Sequence, residues 1–217
     1  YNADCREVAK FVKCDFILTD PPYPDYHTDK WEVTPIDFLN DFSCRQFVFW
    51  TAKVDFPLSY TARHVWDKNI GAGSQYEFIY ERNGNAEYKV FRFQSPTNIV
   101  RARGVREYFS EHPSQKPVQL LNRILVYANP EIHSVIFDPF SGSGSTLVSA
   151  RDLGYQAVGC EQIQRWADES VERLAQQSLF TLPNKACSGR VDSSGSPELF
   201  PAEVIPSAKV TRQSTRR

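Results

Sequence analysis

Methionine is missing altogether: the 217 residues contain 0 Met. A translated chain ordinarily begins with one. The expectation is therefore that the chain starts at Tyr1 through processing, or because something upstream is absent. Tyr1-Asn-Ala-Asp4 itself reads as the end of a strand whose beginning is missing. An excess of one charge is lacking too. The 25 Lys+Arg against 26 Asp+Glu leave a net charge of −1, so a polyanionic partner has to be held by a local patch. No uncharged apolar run approaches the ~20 residues that cross a bilayer. Asp4, Arg6, Glu7 and Lys10 break the basic-then-apolar order of a signal peptide. No membrane partner is expected. Cys5, Cys14, Cys44, Cys160 and Cys187 are odd in number and form no C-x-x-C pair. That argues against a zinc site and a disulfide framework, and favours reduced, partly buried thiols of a cytoplasmic protein.

What is present suits a globular domain. Hydrophobic residues make up 41% and exclude a wholly disordered chain. Short apolar runs at 15–19, 46–51, 134–137 and 156–160 read as strands, and 63–67, 76–81 and 88–93 as shorter ones. Helical spacing covers 5–12, with Val8, Phe11 and Val12 on one face. It also covers the stretch after Pro35 and 117–128, 145–153 and 162–178. Gly71, Gly73 and Asn83-Gly84 are turn signals, the last resembling a hairpin turn. Strand–helix alternation over 1–178 predicts an α/β fold with a mostly parallel sheet. From 181 to 217 Ser, Pro, Gly and Thr dominate. The last eleven residues carry Lys209, Arg212, Arg216 and Arg217 and no acid, which predicts a flexible basic tail.

Two strand exits carry chemistry. Phe137-Asp-Pro-Phe-Ser-Gly-Ser-Gly-Ser-Thr146 leaves a strand and enters a helix. Gly142 and Gly144 permit backbone angles closed to other residues, and the helix start offers unpaired N–H groups to an anionic ligand. No G-K-[S/T] follows, which excludes a triphosphate loop, and Leu147 stands where a third glycine would complete G-x-G-x-x-G. A tight turn alone would explain a lone G-x-G. The next strand, however, ends at Cys160 and is followed at once by Glu161, 19 residues after Gly142. An acid at that place accepts from ribose hydroxyls in dinucleotide-type folds, so a nucleoside is expected.

The second exit is Thr19-Asp-Pro-Pro-Tyr23. Two prolines stiffen the backbone and remove two N–H donors. What remains is a rigid set of acceptors, Asp20 and nearby carbonyls, beside the flat face of Tyr23. That suits a planar ligand donating N–H bonds, such as a nucleobase amino group. The plainer reading is a Pro-rich turn with a packed tyrosine.

Taken together, these motifs resemble the S-adenosylmethionine-dependent DNA amino-methyltransferases, the adenine-N6/cytosine-N4 family, in its permuted β-type order. Asp20-Pro21-Pro22-Tyr23 is similar to the catalytic tetrapeptide of that family, and Asp138 to Gly144 to its cofactor loop. His112-Pro-Ser-Gln-Lys-Pro117 is similar to the segment that precedes this loop. Val65-Trp-Asp-Lys68 with Tyr76-Glu-Phe-Ile-Tyr80 resembles the sheet's terminal hairpin region, and Asn2-Ala-Asp-Cys5 a Gly-Asp-Cys opening.

The resemblance implies a Rossmann-like seven-stranded methyltransferase sheet, circularly permuted, with a short recognition insert. The methyltransferase domain would be 1–180, with a catalytic half 1–82, a recognition segment 83–111 and a cofactor half 112–180. S-adenosylmethionine is the implied cofactor. Phe140, Ser141, Gly142 and Gly144 would border it, with Glu161 on the ribose and Asp4 near the adenine ring. Asp138, Ser114, Lys116 and Thr146 would surround the methionine end. The implied partner is DNA, contacted by Arg101, Arg103 and Arg106; solvated loop arginines are the competing reading. So short a recognition segment points to a short target site, a homodimer, or help from the tail. An acidic first residue in the tetrapeptide resembles adenine-N6 more than cytosine-N4 enzymes. Cytosine-N4 transfer, or a silent methyltransferase-like subunit that binds nucleic acid, are the alternatives. His27, His64 and His133 have no partner pattern and read as surface or structural.

Overall fold

A computed structural model of the protein describes residues 1–24, 35–69, 75–84, 87–94 and 114–176. All lie in the first of the two units, Tyr1–Phe180 and Thr181–Arg217, into which the chain divides. Arg101, Arg103, Arg106, His27, His112, Cys187, Gly71, Gly73 and the tail lie outside the described residues.

The described strands are β1 (Phe16–Thr19), β2 (Arg45–Trp50), β3 (Ala62–Asp67), β4 (Tyr76–Arg82), β5 (Val90–Arg92), β6 (Val135–Asp138) and β7 (Gln156–Gly159). They form one seven-stranded sheet in the order β5-β3-β4-β2-β1-β6-β7. β1 runs parallel to β2 and β6, β6 to β7, and β3 to β5. β4 runs antiparallel to both β2 and β3. The mostly parallel α/β sheet expected from the alternation is thus present. Its central strands are near-continuous apolar runs because both faces are covered.

Period-two alternation divides the core in two. Phe16, Leu18, Phe47, Phe49 and Ile136 face one side, packed on Leu120, Leu121, Ile124 and Leu125 of helix α2 (Val118–Ala128). Ile17, Val48, Trp50 and Phe137 face the other, with Cys5 of helix α1 (Cys5–Ala9) and Leu39. Helices α3 (Ser145–Asp152) and α4 (Gln164–Ala175) follow β6 and β7. Asn129, in the left-handed region at φ 46, ends α2 just before Pro130. Among the described residues no helix is long and apolar enough to cross a membrane.

Several local expectations need correction. Helix α1 is shorter than 5–12, and Phe11 is 84% exposed instead of sharing a buried face with Val8 and Val12. The segment after Pro35 forms only a 3-10 turn, Asp37–Asp41, and α4 is shorter than 162–178. Asn83-Gly84 does not close a hairpin, because β5 pairs with β3 in parallel and not with β4. Its purpose is different. Asn83, at φ 54, donates to the Phe42 and Cys44 carbonyls at 3.1 Å each. A Cβ on Gly84 would stand 1.8 Å from Glu81 Oε1, so only glycine leaves room for that carboxylate. β5 also covers β3, so the β3–β4 pair is not the sheet's edge.

At the opposite edge, Asn2 bridges Glu161 in parallel, Ala3 N donating to Glu161 O at 3.1 Å and Glu161 N to Tyr1 O at 3.0 Å. The four described cysteines are free, with the sulfurs of Cys14 and Cys44 3.7 Å apart.

Glu81 is the buried hub of the far side of the sheet. It takes Arg45 Nε at 2.7 Å on one oxygen and His64 Nε2 at 2.8 Å on the other. Lys89 N donates to His64 Nδ1 at 3.1 Å, so the hydrogen bonds assign a neutral ring protonated on Nε2. Burial holds His64 below its ordinary pKa against the pull of Glu81. His64 is structural and His133 is exposed. Glu81→Ala strands both partners and is expected to cost about 3–5 kcal/mol in urea unfolding; a loss under about 1 kcal/mol would show the hub to be dispensable.

Candidate active site

β1 and β6 are adjacent and parallel, so both chemistry-bearing exits open on the same edge of the sheet. Thr19 Oγ1 donates to Asp138 Oδ1 at 2.7 Å and links one exit to the other across 119 residues. Phe140 N donates to the same oxygen at 3.1 Å, and Thr146 also hydrogen-bonds the carboxylate. Asp138 is 3% exposed. Burial pushes its pKa up to about 6 in spite of these donors.

The glycine loop then turns into α3. Gly142 and Gly144 have φ of 49° and 81°, in the region that favours glycine. A Cβ on Gly144 would also meet the Ser170 Cβ of α4 at 2.7 Å. Ser141 is buried and anchors the turn, its N–H donating to Cys160 O at 2.8 Å. Phe140 lies 6.2 Å from Phe38 between ring centres. Glu161, at the exit of β7, accepts from Gly142 N at 3.0 Å and Ile163 N at 2.8 Å. Burial raises its pKa against those bonds. Arg173 of α4, which no sequence motif marks, holds the loop from behind. Its Nη1 donates to Ser143 O at 2.6 Å and to Ser145 Oγ at 3.2 Å. Asp4 caps α1 and pairs with Arg6, which holds its carboxyl down at about 2. It also hydrogen-bonds Gln162, next to Glu161.

At the β1 exit, the Tyr23 hydroxyl donates to Asp20 Oδ1 and Lys116 Nζ to Asp20 Oδ2. Tyr23 packs edge-on against Trp50 at 5.5 Å. Burial raises the Asp20 carboxyl above its usual range, opposed by the Lys116 ammonium. Burial works against the charge of Lys116, but Asp20 and Glu77 outweigh it and hold the ammonium above its ordinary range. Lys116 Nζ also stands 3.3 Å from Glu77 Oε2, and Lys68 Nζ donates to Glu77 Oε1 at 2.6 Å. Asp20, Lys116, Glu77 and Lys68 therefore form a row of alternating charges. Lys116, expected near the methionine end of a cofactor, is seated on Asp20. Glu77 has no sequence motif of its own; the paired register of β3 and β4 brings it in, opposite Trp66. Ser114 begins the short segment that carries Lys116 into α2.

A mostly parallel sheet with a glycine loop at one strand exit and a half-buried acid at the next defines a Rossmann-like nucleotide-cofactor domain. The comparisons with known proteins sharpen that class. Residues 36–172 match the model of the N6/N4 DNA methylase family, and the chain belongs to that family. The tetrapeptide at 20–23 lies ahead of the matched segment.

Among curated relatives, the chain is 30% identical over 140 residues to the type II methyltransferase M2.DpnII of Streptococcus pneumoniae, covering 62% of this chain and 46% of that protein. It is 28% identical over 148 residues to M2.LlaDCHI of Lactococcus lactis subsp. cremoris, covering 65% of this chain and 48% of that one. The chain thus spans about half the length of these relatives. The fold is also that of the M1.HpyAVI–SAM complex, with a TM-score of 0.55 at 20% identity, over 80% of this chain and 98% of that one. PvuII DNA methyltransferase, described as cytosine-N4-specific, superposes with a TM-score of 0.55 at 11% identity, over 83% of this chain and 87% of that one.

Asp138 supplies a pH test of this geometry. A folded pKa of about 6 against an unfolded 3.8 means the native state binds the proton more tightly. The stabilisation from that proton is full below the unfolded value and is lost as pH rises through the folded one. Wild type is expected to gain about 1 kcal/mol of unfolding free energy at pH 5 over pH 7.5 relative to Asp138→Asn. Parallel pH curves for the two proteins, measured by urea denaturation, would contradict it.

Proposed function

We propose that this chain transfers a methyl group from S-adenosylmethionine to the exocyclic N6 amino group of an adenine flipped out of DNA. One observation carries the reading: a half-buried carboxylate, Asp20, sits beside an aromatic ring one strand away from a glycine loop and its ribose-type acid.

The residues fit that cofactor. Glu161 offers a carboxylate to the ribose hydroxyls. Gly142 and Gly144, with Phe140 and Ser141, leave room for close approach along the loop, and Asp4 lies beside Gln162 on the adenine side. Ser114, Asp138 and Thr146 stand around the methionine end, while Lys116, seated on Asp20 and 3.3 Å from Glu77, serves those two carboxylates and not the methionine carboxylate. Bound there, S-adenosylmethionine supplies an electrophilic methyl on a sulfonium sulfur and leaves as a neutral thioether.

The rest is done by the chain. Flipping the target base costs a few kcal/mol. Stacking on Tyr23 offsets about 1–3 kcal/mol of that. The adenine amino lone pair is delocalised into the ring and is a poor nucleophile. Hydrogen bonds from the amino group to Asp20 and to the Pro21 carbonyl draw the nitrogen toward tetrahedral geometry and localise the lone pair. Pro22 keeps that carbonyl aimed by fixing the backbone. Once methylated, the nitrogen sheds a proton, and Asp20 is the acceptor at hand. Positioning and electrostatics carry the rate, with no covalent intermediate on the protein.

The order of the chain, with the Asp20 strand first and the cofactor strands last, supports the permuted reading. An aspartate at position 20 supports adenine over cytosine. Arg101, Arg103 and Arg106 are the proposed phosphate contacts, and within 83–111 the recognition role falls to the part that follows β5, whose residues Val90–Arg92 belong to the sheet.

The test is incubation with methyl-labelled S-adenosylmethionine and mixed-sequence DNA, followed by digestion and identification of the modified nucleoside. N6-methyladenine is the expected product. N4-methylcytosine would correct the target base, and no incorporation would refute the activity. Asp20→Ala is expected to lower methyl transfer by at least about a thousandfold while leaving cofactor affinity within about threefold of wild type. Full activity in that variant would sink the mechanism.

A further inference from the structure

We propose that Glu77 is the second seat of Lys116. When the target amino group takes Asp20 Oδ2, the Lys116 ammonium passes its contact to Glu77 Oε2. The proposal rests on the methyltransferase reading above and adds a positioning residue to it.

Both oxygens of Asp20 are engaged in the free protein, Oδ1 by Tyr23 and Oδ2 by Lys116. A carboxylate that shares its charge with an ammonium is a weaker acceptor for an amino N–H. Tyr23 also has to leave Oδ1 far enough to stack on a base. For Asp20 to act, Lys116 has to let go, yet its side chain is only 11% exposed and water is no ready substitute.

The structure provides an anion for it. Glu77 Oε2 is buried, lies 3.3 Å from Lys116 Nζ and makes no hydrogen bond among the described residues. Its twin Oε1 is already satisfied by Lys68 at 2.6 Å, so the carboxylate is fixed in place. A shift of about half an ångström turns the 3.3 Å contact into a charge-assisted hydrogen bond. The Phe49 ring, 5.1 Å from Nζ, lines the short path and favours a cation there. No charge is created or destroyed. The ammonium keeps an anionic partner throughout, while Asp20 regains its full acceptor strength.

The test uses the full chain, saturating S-adenosylmethionine and a methylatable duplex in single turnover. Glu77→Gln keeps the shape but removes the anion, so Lys116 stays on Asp20. The rate of methyl transfer is expected to fall at least about tenfold, with cofactor affinity within about threefold and an unchanged far-UV spectrum. The double variant Glu77→Gln/Lys116→Gln is expected to be faster than Glu77→Gln alone, since nothing then competes for Asp20. A merely structural Glu77 would give no such recovery. A single variant within about twofold of wild type, or a double variant no faster than it, overturns the proposal. Should Glu77→Gln fail to fold, the wild-type structure with cofactor and flipped base decides: Nζ on Glu77 supports the proposal and Nζ still on Asp20 Oδ2 overturns it. An inactive wild type overturns the methyltransferase reading and this role with it. An active wild type beside an unaffected Glu77→Gln overturns only the role of Glu77.

Discussion

The parallel pairing of β1 with β6 is the constraint on which the site depends. It puts Phe16 against Ile136 and Ile17 against Phe137, so the two strands end level. Both are short, buried and apolar, and neither has a solvent face that would tolerate a shifted register. A slip of one residue would turn Ile17 and Phe137 onto the wrong core and part Thr19 from Asp138. The hydroxyl-to-carboxylate bond between those two therefore reports the register at the point where chemistry begins. Segments more than a hundred residues apart in the chain become neighbours through hydrophobic packing. Polar contacts then set the final geometry.

Burial also explains why the site is charged as it is. A lone carboxylate in such a place would neutralise itself by taking up a proton. Asp138 moves partway in that direction, since its partners are hydroxyls and an N–H group. Asp20 keeps a full cation beside it. Glu77 is balanced by two lysines, which outweigh the effect of burial and hold it below the ordinary carboxylate range. Three acids at one sheet edge, Asp138 buried and Asp20 and Glu77 half-buried, thus have three different electrostatic settings. The far side of the sheet uses the same physics for structure alone, with Glu81 between Arg45 and a neutral His64.

Much of this was legible in the residues, for reasons that are local. Apolar runs of four to six residues mark the central strands because those strands are buried on both faces. The glycine loop and the proline tetrapeptide are continuous in the chain, so their chemistry can be read without knowing the fold. The acid of Glu161 is a fixed distance past the loop because one helix and one strand separate them. Short elements were less legible. Pro35 starts only a 3-10 turn, and Phe11 turns out to solvent once α1 ends at Ala9. Asn83-Gly84 has the composition of a hairpin, but its glycine is needed to admit a side chain from the neighbouring strand.

The contacts that surround Asp20 were hidden for a different reason. Glu77 and Lys68 lie on or beside antiparallel strands, where a glutamate and a lysine are ordinarily a solvated pair. Their significance appears only when β4 is laid between β2 and β3 and the segment carrying Lys116 crosses above them. No spacing rule links residues 20, 77 and 116, because their separation in the chain is set by connections that vary freely while the sheet does not. Arg173 escapes notice likewise, since an arginine near the end of an amphipathic helix usually faces water. Here it turns inward, and its hydrogen bonds to Ser143 and Ser145 brace the loop. Motifs, then, identify groups that touch a ligand. The groups that tune them are set by topology, and each becomes visible as a buried charge whose partner is far away in the chain.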